Sequence, residues 1–187
     1  GVWFPGRQSR SLQYISPNMG GVTAQIGFVP KGNRGTNANN VFSAGVKYSS
    51  GPLSVAASAQ TKDSSAAQNF LSVAGSYDFK VAKVMLGYAD GGDFAKGGTG
   101  SGVTAGFVAP VGGYNLGVQY GQNTDDDLKL RSVELFANTE IFKNTYAYME
   151  VGNWKTSLAA NPLNSFFGVT DAKRTGTGYA VGLIFVF

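Results

Sequence analysis

The sequence predicts an all-β chain, an antiparallel up-and-down β-barrel whose strands cross a membrane. Three observations carry this expectation: an alternating apolar C-terminal segment, period-2 patterning along the whole chain, and connections that alternate short and long. In Thr177–Phe187, the residues Tyr179, Val181, Leu183, Phe185 and Phe187 occupy every second position. Between them sit Gly178, Ala180, Gly182, Ile184 and Val186, three of them small. Side chains of a strand alternate faces, so the segment carries one continuous apolar face that ends on an aromatic ring. Soluble chains more often end in frayed polar residues.

Eleven strand-like segments follow from the same period. The first is Ser9–Ser16. The second, Val22–Val29, sets Val22, Ala24, Ile26 and Phe28 against Thr23, Gln25 and Gly27. Val41–Ser49 comes next, then Leu53–Thr61, where Leu53, Val55, Ala57 and Ala59 oppose Ser54, Ser58 and Gln60. Phe70–Tyr77 and Val81–Ala89 lead to Gly102–Ala109, with Val103, Ala105 and Phe107 opposite Thr104 and Gly106. In Tyr114–Tyr120, Tyr114, Leu116, Val118 and Tyr120 oppose Asn115, Gly117 and Gln119. Leu128–Ile141, Thr145–Gly152 and Thr177–Phe187 complete the set. Most approach the roughly 9–11 residues of a tilted transmembrane strand.

Short turns are expected at Pro17–Gly21, Ser50–Pro52, Asp78–Lys80, Pro110–Gly113 and Phe142–Asn144. Long polar loops are expected at Pro30–Asn40, Lys62–Asn69, Asp90–Ser101, Gly121–Asp127 and Asn153–Gly176. This strict alternation fits a meander with one tight rim and one loop-bearing rim, and not a Greek-key sandwich. Aromatics gather at strand ends: Tyr48, Phe79, Tyr114 and Phe187 near the turns, Phe28, Tyr88 and Tyr120 near the loops. Two such rows bordering an aliphatic band are the girdles of a lipid-facing wall.

No run approaches the ~20 apolar residues of a transmembrane helix. The 43% hydrophobic content is compatible with a barrel, because alternating faces cancel in any hydropathy window. There is no Cys and no His among the 187 residues, so a Ser-His-Asp triad, a thiol nucleophile or an imidazole metal site cannot be built within the chain. An enzyme is therefore not expected, and no cofactor is implied. Gly97-Gly98-Thr99-Gly100 lacks the Gly-Lys-Ser/Thr ending of a phosphate loop. Asp125-Asp126-Asp127 reads as a solvated turn in preference to a cation site. The net charge of +4 comes from scattered residues without an aromatic-interleaved basic stripe, so nucleic acid is not an expected partner.

Charge on the polar parity is more informative. Lys47, Lys62 and Lys83 fall there, as do Glu134, Glu140 and Glu150. Opposed basic and acidic groups in a narrow lumen would create a transverse field that sets ion preference. With the net charge, the lysine parity suggests a weak anion preference.

Ser11-Leu12-Gln13-Tyr14-Ile15-Ser16-Pro17, followed by Gly20-Gly21, resembles a recurrent stretch of the neisserial and β-proteobacterial general porins, which typically read Ser-apolar-Arg-Tyr-Asp-Ser-Pro. The ending from Gly178 to Phe187 is similar to the family's last strand. The resemblance implies a sixteen-stranded homotrimeric porin of the Gram-negative outer membrane, with an eyelet narrowed by an inward-folded third loop. It implies a passive diffusion channel for small hydrophilic solutes, embedded in lipid and lipopolysaccharide, with a periplasmic C-terminus. The terminal alternating set, Tyr179, Val181, Leu183, Phe185 and Phe187, would be the signal read by the barrel-assembly machinery. Gln13 and Ile15 replace the family's Arg and Asp, and Ile184 and Val186 replace basic residues near the end.

A closed antiparallel meander needs an even strand number, and family members are nearly twice as long. The eleven segments are thus expected to be the last eleven of sixteen, in one domain over 1–187. Residues 1–8 would then end the constriction loop, with Arg7 and Arg10 beside the eyelet. The alternatives are a small closed barrel of ten or twelve strands, an outer-membrane barrel with an adhesin or structural role, and a soluble sandwich. Deleting Phe187 is expected to lower the amount of membrane-inserted trimer while leaving unchanged the conductance of channels that do form. Heat-modifiable gel mobility and planar-bilayer recording check both halves, and undiminished insertion would remove the assembly role.

Overall fold

A computed structural model describes residues 10–32, 39–62, 68–92, 100–125, 128–158 and 174–186. The regular elements among them are all strands: β1 (Leu12–Ile15), β2 (Val22–Val29), β3 (Val41–Ser50), β4 (Leu53–Gln60), β5 (Phe70–Asp78), β6 (Lys83–Asp90), β7 (Ser101–Val111), β8 (Tyr114–Asp125), β9 (Leu128–Phe142), β10 (Thr145–Leu158) and β11 (Arg174–Phe185). Their order in the sheet is their order in the chain. Two compact units are distinguished, one of Gly1–Tyr77 with Gly87–Val103, the other of Asp78–Leu86 with Thr104–Phe187.

The turns show why neighbours in sequence become neighbours in space. Gly112 and Gly113 both have positive φ, 58° and 87°, the geometry of a tight two-residue hairpin whose twist matches its strands. At the β1–β2 turn, Gly20 and Gly21 are also left-handed, and a Cβ on Gly21 would stand 2.6 Å from the Ser49 carbonyl oxygen. Asx contacts complete the turns: Asn18 Oδ1 accepts from the Gly21 amide at 2.7 Å, and Asp78 Oδ1 from the Lys80 amide at 2.7 Å.

In the first unit the register sorts the residues by face. Leu12 pairs with Phe28, Phe28 with Phe42, Ile26 with Ala44, Ala44 with Ala59, and Ala59 with Leu71. The opposite face aligns Gln13, Gly27, Ser43 and Gln60, and, one row on, Gln25, Gly45, Ser58 and Ser72. The polar face is stitched by hydroxyls, with Ser58 and Ser72 Oγ atoms 2.8 Å apart and Ser49 and Ser54 2.9 Å apart. On the apolar face the Phe28 and Phe42 rings meet at 5.1 Å near the loop-bearing ends.

The second unit repeats the division. Leu116, Ala137, Met149 and Val181 form one apolar row, and Val118, Leu135, Val151 and Tyr179 the next. These faces find no core. Val29, Val41 and Ala89 are the buried apolar residues among those described, all in the first unit, whereas Tyr179 is 87% and Val181 76% exposed. A sandwich would cover such a face with a second sheet. An uncovered apolar face on a one-layer sheet is what a lipid-facing wall requires.

Eleven strands were expected and eleven form among the described residues, with differences in extent. β6 starts at Lys83, leaving Val81 76% exposed in the turn. β1 is shorter than Ser9–Ser16. At the loop rim β8 continues to Asp125, β10 continues to Leu158 and β11 begins at Arg174. Only residues 126–127 separate β8 from β9, so the expected long loop at Gly121–Asp127 is a hairpin extension and the strict short–long alternation fails there. The reason is that hydropathy alternation ends where both faces turn polar. Backbone pairing does not end there: Gln122 still pairs with Arg131, and Thr124 with Lys129.

The register makes a direct test available. Ala57 shares a face with Val46 and Val73, and its neighbour Ser58 with Gly45 and Ser72. Ala57→Arg is expected to destabilise the membrane-inserted protein by about 2–4 kcal/mol, the penalty for a cation at the midplane of a lipid-facing wall. Ser58→Arg should be tolerated. Denaturant unfolding of both variants in lipid vesicles measures the difference, and equal costs would contradict the face assignment.

Candidate functional site

The candidate site is the polar face, because that is where charge and hydrogen-bonding capacity are concentrated. In the first unit its rows are small: Thr23, Lys47 and Ala56 align, flanked by Gln25, Gly45 and Ser58. Lys47 is exposed, and its cross-strand neighbours are a hydroxyl and a methyl group. Asp78, at the turn end of β5, is engaged with the Lys80 amide.

Lys83 lies on the same face as Met85, and a Cβ on Gly106 would be 3.0 Å from the Met85 Cε, which sets both beside the polar side of β7. Lys62 falls beyond the end of β4, where its amide donates to Asn69 Oδ1 at 3.0 Å. Arg10 is exposed just before β1 with a left-handed backbone, φ 53°. Arg7 and Phe187 lie outside the described residues.

The second unit gathers the carboxylates. Gln119, Glu134, Gly152 and Gly178 make one row, and Gly117, Phe136, Glu150 and Ala180 the next. Glu134 and Glu150 are therefore diagonal neighbours, at a spacing of about 7–8 Å between such positions. Both border a concavity of about 330 Å³ that Trp154 also lines. Glu140 behaves differently: its Oε1 accepts from the Asn144 amide at 2.9 Å and closes the β9–β10 turn. That carboxylate stabilises a left-handed Asn144, φ 60°, at the turn rim.

Aromatic rings on this face lie against glycines of the adjoining strand. A Cβ on Gly117 would fall 2.2 Å from Phe136, one on Gly176 2.4 Å from Trp154, and one on Gly182 2.6 Å from Tyr148. Each glycine is the direct cross-strand partner of its ring. Rings laid over glycines keep the wall thin beside Glu134 and Glu150, both of them half-buried. Sequence reasoning placed Trp154 in a loop. Its cross-strand partner Gly176 lies on the far side of the β10–β11 connection, so the pair becomes apparent only from the register.

Tyr179, Val181, Leu183 and Phe185 all lie on the apolar face, opposite Val151, Met149, Ala147 and Thr145. No group of three or more potential metal ligands occurs among the described residues.

A family model described as Gram-negative porin matches residues 1–158. No curated protein matches the chain. Among solved structures, a porin refined at 1.8 Å aligns at TM-score 0.66 and 14% identity, over 100% of this chain and 66% of that one. A mutant of the Rh. blastica porin aligns at 0.63 and 16%, over 95% of this chain and 55% of that one. OccK9 (OpdG) of Pseudomonas aeruginosa aligns at 0.57 and 14%, over 92% and 65%. These likenesses are of fold, and the chain spans between 55% and 66% of the length of these three structures.

Substitution at Gly117 tests the flat-ring packing. Gly117→Val must displace the Phe136 ring, and the overpacking is expected to cost about 1–3 kcal/mol. The double variant Gly117→Val, Phe136→Ala should regain part of that loss. Unfolding midpoints for the two proteins decide it, and a Gly117→Val protein of full stability would show that the ring does not occupy that position.

Proposed function

This chain belongs to the Gram-negative porin family, and we propose that it lines a passive, water-filled channel of the outer membrane for small hydrophilic solutes and ions. The observation that carries the reading is the pairing register within each unit, which puts polar residues on one face, serines, glutamines and Lys47 in the first unit and Gln119, Glu134 and Glu150 in the second, and an uncovered aliphatic band on the other. In lipid the band faces acyl chains and the polar face encloses water. Diffusion through such a pore needs no turnover and no cofactor. Selectivity then follows pore radius and lining charge.

We assign the complete channel to a homotrimer, with the turn rim and C-terminus in the periplasm and the final strand recognised during assembly. On this reading Arg10, just before β1, borders the eyelet. Lys47 and Lys83 favour anions, and Glu134 and Glu150 oppose them, so the preference is weak. Lys62, at the loop rim, contributes through the access field, and Glu140 is committed to its turn.

Planar-bilayer recording with the complete gene product tests the reading. A reversal potential of anion-selective sign is expected in a salt gradient, and Lys83→Glu should move it toward cations more than Lys31→Glu does. Lys31 follows β2 on an exposed segment where salt screens its charge. A cation-selective wild type would overturn the preference, and absence of conductance would overturn the channel.

A further inference from the structure

On the polar face of the second unit, Gly117, Gly176 and Gly182 are covered by the rings of Phe136, Trp154 and Tyr148, whereas Gly152 and Gly178 carry no ring. These two are direct cross-strand partners, and both line the concavity of about 330 Å³. A Cβ on Gly178 would meet no atom within 4 Å, and one on Gly152 would stand 3.8 Å from the Val133 carbonyl oxygen. Gly152 is the centre of the arrangement. Its partner on β9 is Glu134 and its partner on β11 is Gly178, while Glu150 and Trp154 lie two residues to either side of it on β10. At about 3.3 Å per residue, each stands about 7 Å from Gly152 along the strand. A solute group resting over Gly152 is therefore within reach of two carboxylates and one indole at once.

The surroundings define the chemistry of that group. Among the described residues, no ion pair or hydrogen bond engages either carboxylate, and no cation lines the concavity. Arg174 shares the face but is exposed two rows further toward the loops, about 13 Å along β11 from Gly178. Two half-buried carboxylates at a diagonal repel each other, and a cation between them relieves the repulsion. The face of an indole attracts cations too, more strongly than that of Tyr or Phe. A neutral solute would strip water from both carboxylates without replacing it. A bare calcium ion takes six to eight oxygens, far more than two carboxylates supply. An apolar stem beside the charge, by contrast, can rest on Trp154 and Ala180, which also line the concavity.

We propose that Glu134, Glu150 and Trp154, over a floor of Gly152 and Gly178, form a binding subsite for small organic cations, solutes that join one ammonium or guanidinium group to a short apolar stem. The proposal rests on the reading that the polar face meets water in the channel. It gives this part of the wall a local preference opposite in sign to the one assigned to the pore as a whole. The volume of about 330 Å³ lies at the low end for small-molecule sites and limits the stem to a few carbons.

The test titrates the complete gene product in detergent with butylguanidinium chloride and, as the neutral analogue, with butanol. Saturation-transfer NMR reads the bound solute, and bilayer recording is run in parallel. Wild type should bind butylguanidinium saturably and butanol not, and the binding should weaken as salt is raised. Glu134→Gln and Glu150→Gln should each weaken it about fivefold, and the double variant about twentyfold. Trp154→Leu should weaken it about two- to fivefold. Gly178→Val changes no charge and fills the floor. Because a Cβ there meets nothing, this variant should keep the unfolding midpoint of wild type and lose saturable binding. Asp90→Asn, which removes a carboxylate at the end of β6 in the first unit, should bind as wild type does. Equal binding of butanol and the cation, or undiminished binding by the double variant or by Gly178→Val, would overturn the subsite. Conductance without saturable binding would retain the channel and remove the subsite. Binding that follows the variants in a protein that conducts no ions would retain the subsite and remove the channel.

Discussion

Antiparallel hydrogen bonding between strands adjacent in sequence is the constraint on which the rest of this protein depends. A sheet built that way satisfies backbone amides and carbonyls across its ladders without requiring a second layer. Relieved of a core, the chain can leave both faces open, and the period of two then acts as the sole sorter of residues. Ile26 and Gln25 are neighbours in sequence but belong to different solvents, and the register carries that distinction across β1 to β5 without a slip. A one-residue shift would exchange the faces entirely. The left-handed glycines at the turns matter for that reason, since they fix hairpin length and so the parity of everything that follows.

Legibility in the sequence follows the same division. Strands were readable wherever one face is aliphatic and the other polar, as in Val22–Val29 and Leu53–Gln60, because the contrast itself is the signal. It faded at the loop rim. From Gln122 to Asp125 and from Lys155 to Ser157 both parities are polar, so hydropathy no longer alternates although the ladder continues. Lys62 and Glu140 share a second cause. Their parity was readable, but whether a strand persists to that residue, or a turn amide takes the carboxylate, depends on local backbone geometry that residue types do not encode.

The ring–glycine contacts belong to a third class, dependent on register across a long gap. Trp154 and Gly176 are separated by the residues between β10 and β11, and neither suggests the other until the pairing is known. Once it is known, their chemistry is simple. A strand glycine weakens its own segment, having no side chain to pack. An aromatic ring laid over it restores the lost contact and shields the exposed backbone. On a wall that must stay thin this differs from filling the gap with a second large side chain, which would stand up from the sheet. The three examples involve Phe136, Tyr148 and Trp154, all in rows beside or next to Glu134 and Glu150.

Net charge is consequently a poor guide to what a solute would meet. The excess of +4 is a sum over both faces, both rims and the loops. In the second unit, Lys129, Arg131 and Lys155 project from the apolar side, while Glu134 and Glu150 occupy the polar side. In the proposed channel, cations on the apolar side would act on a permeating ion only across the sheet, whereas the carboxylates would act from the water-facing side. On the proposed reading, the residues that would weigh in favour of anions are few, chiefly Lys47 and Lys83, and two diagonal carboxylates would oppose them. In the proposed channel a weak preference would follow from that balance, and its sign would be decided by how close each group lies to the narrowest section of the pore, independent of how many basic residues the chain contains.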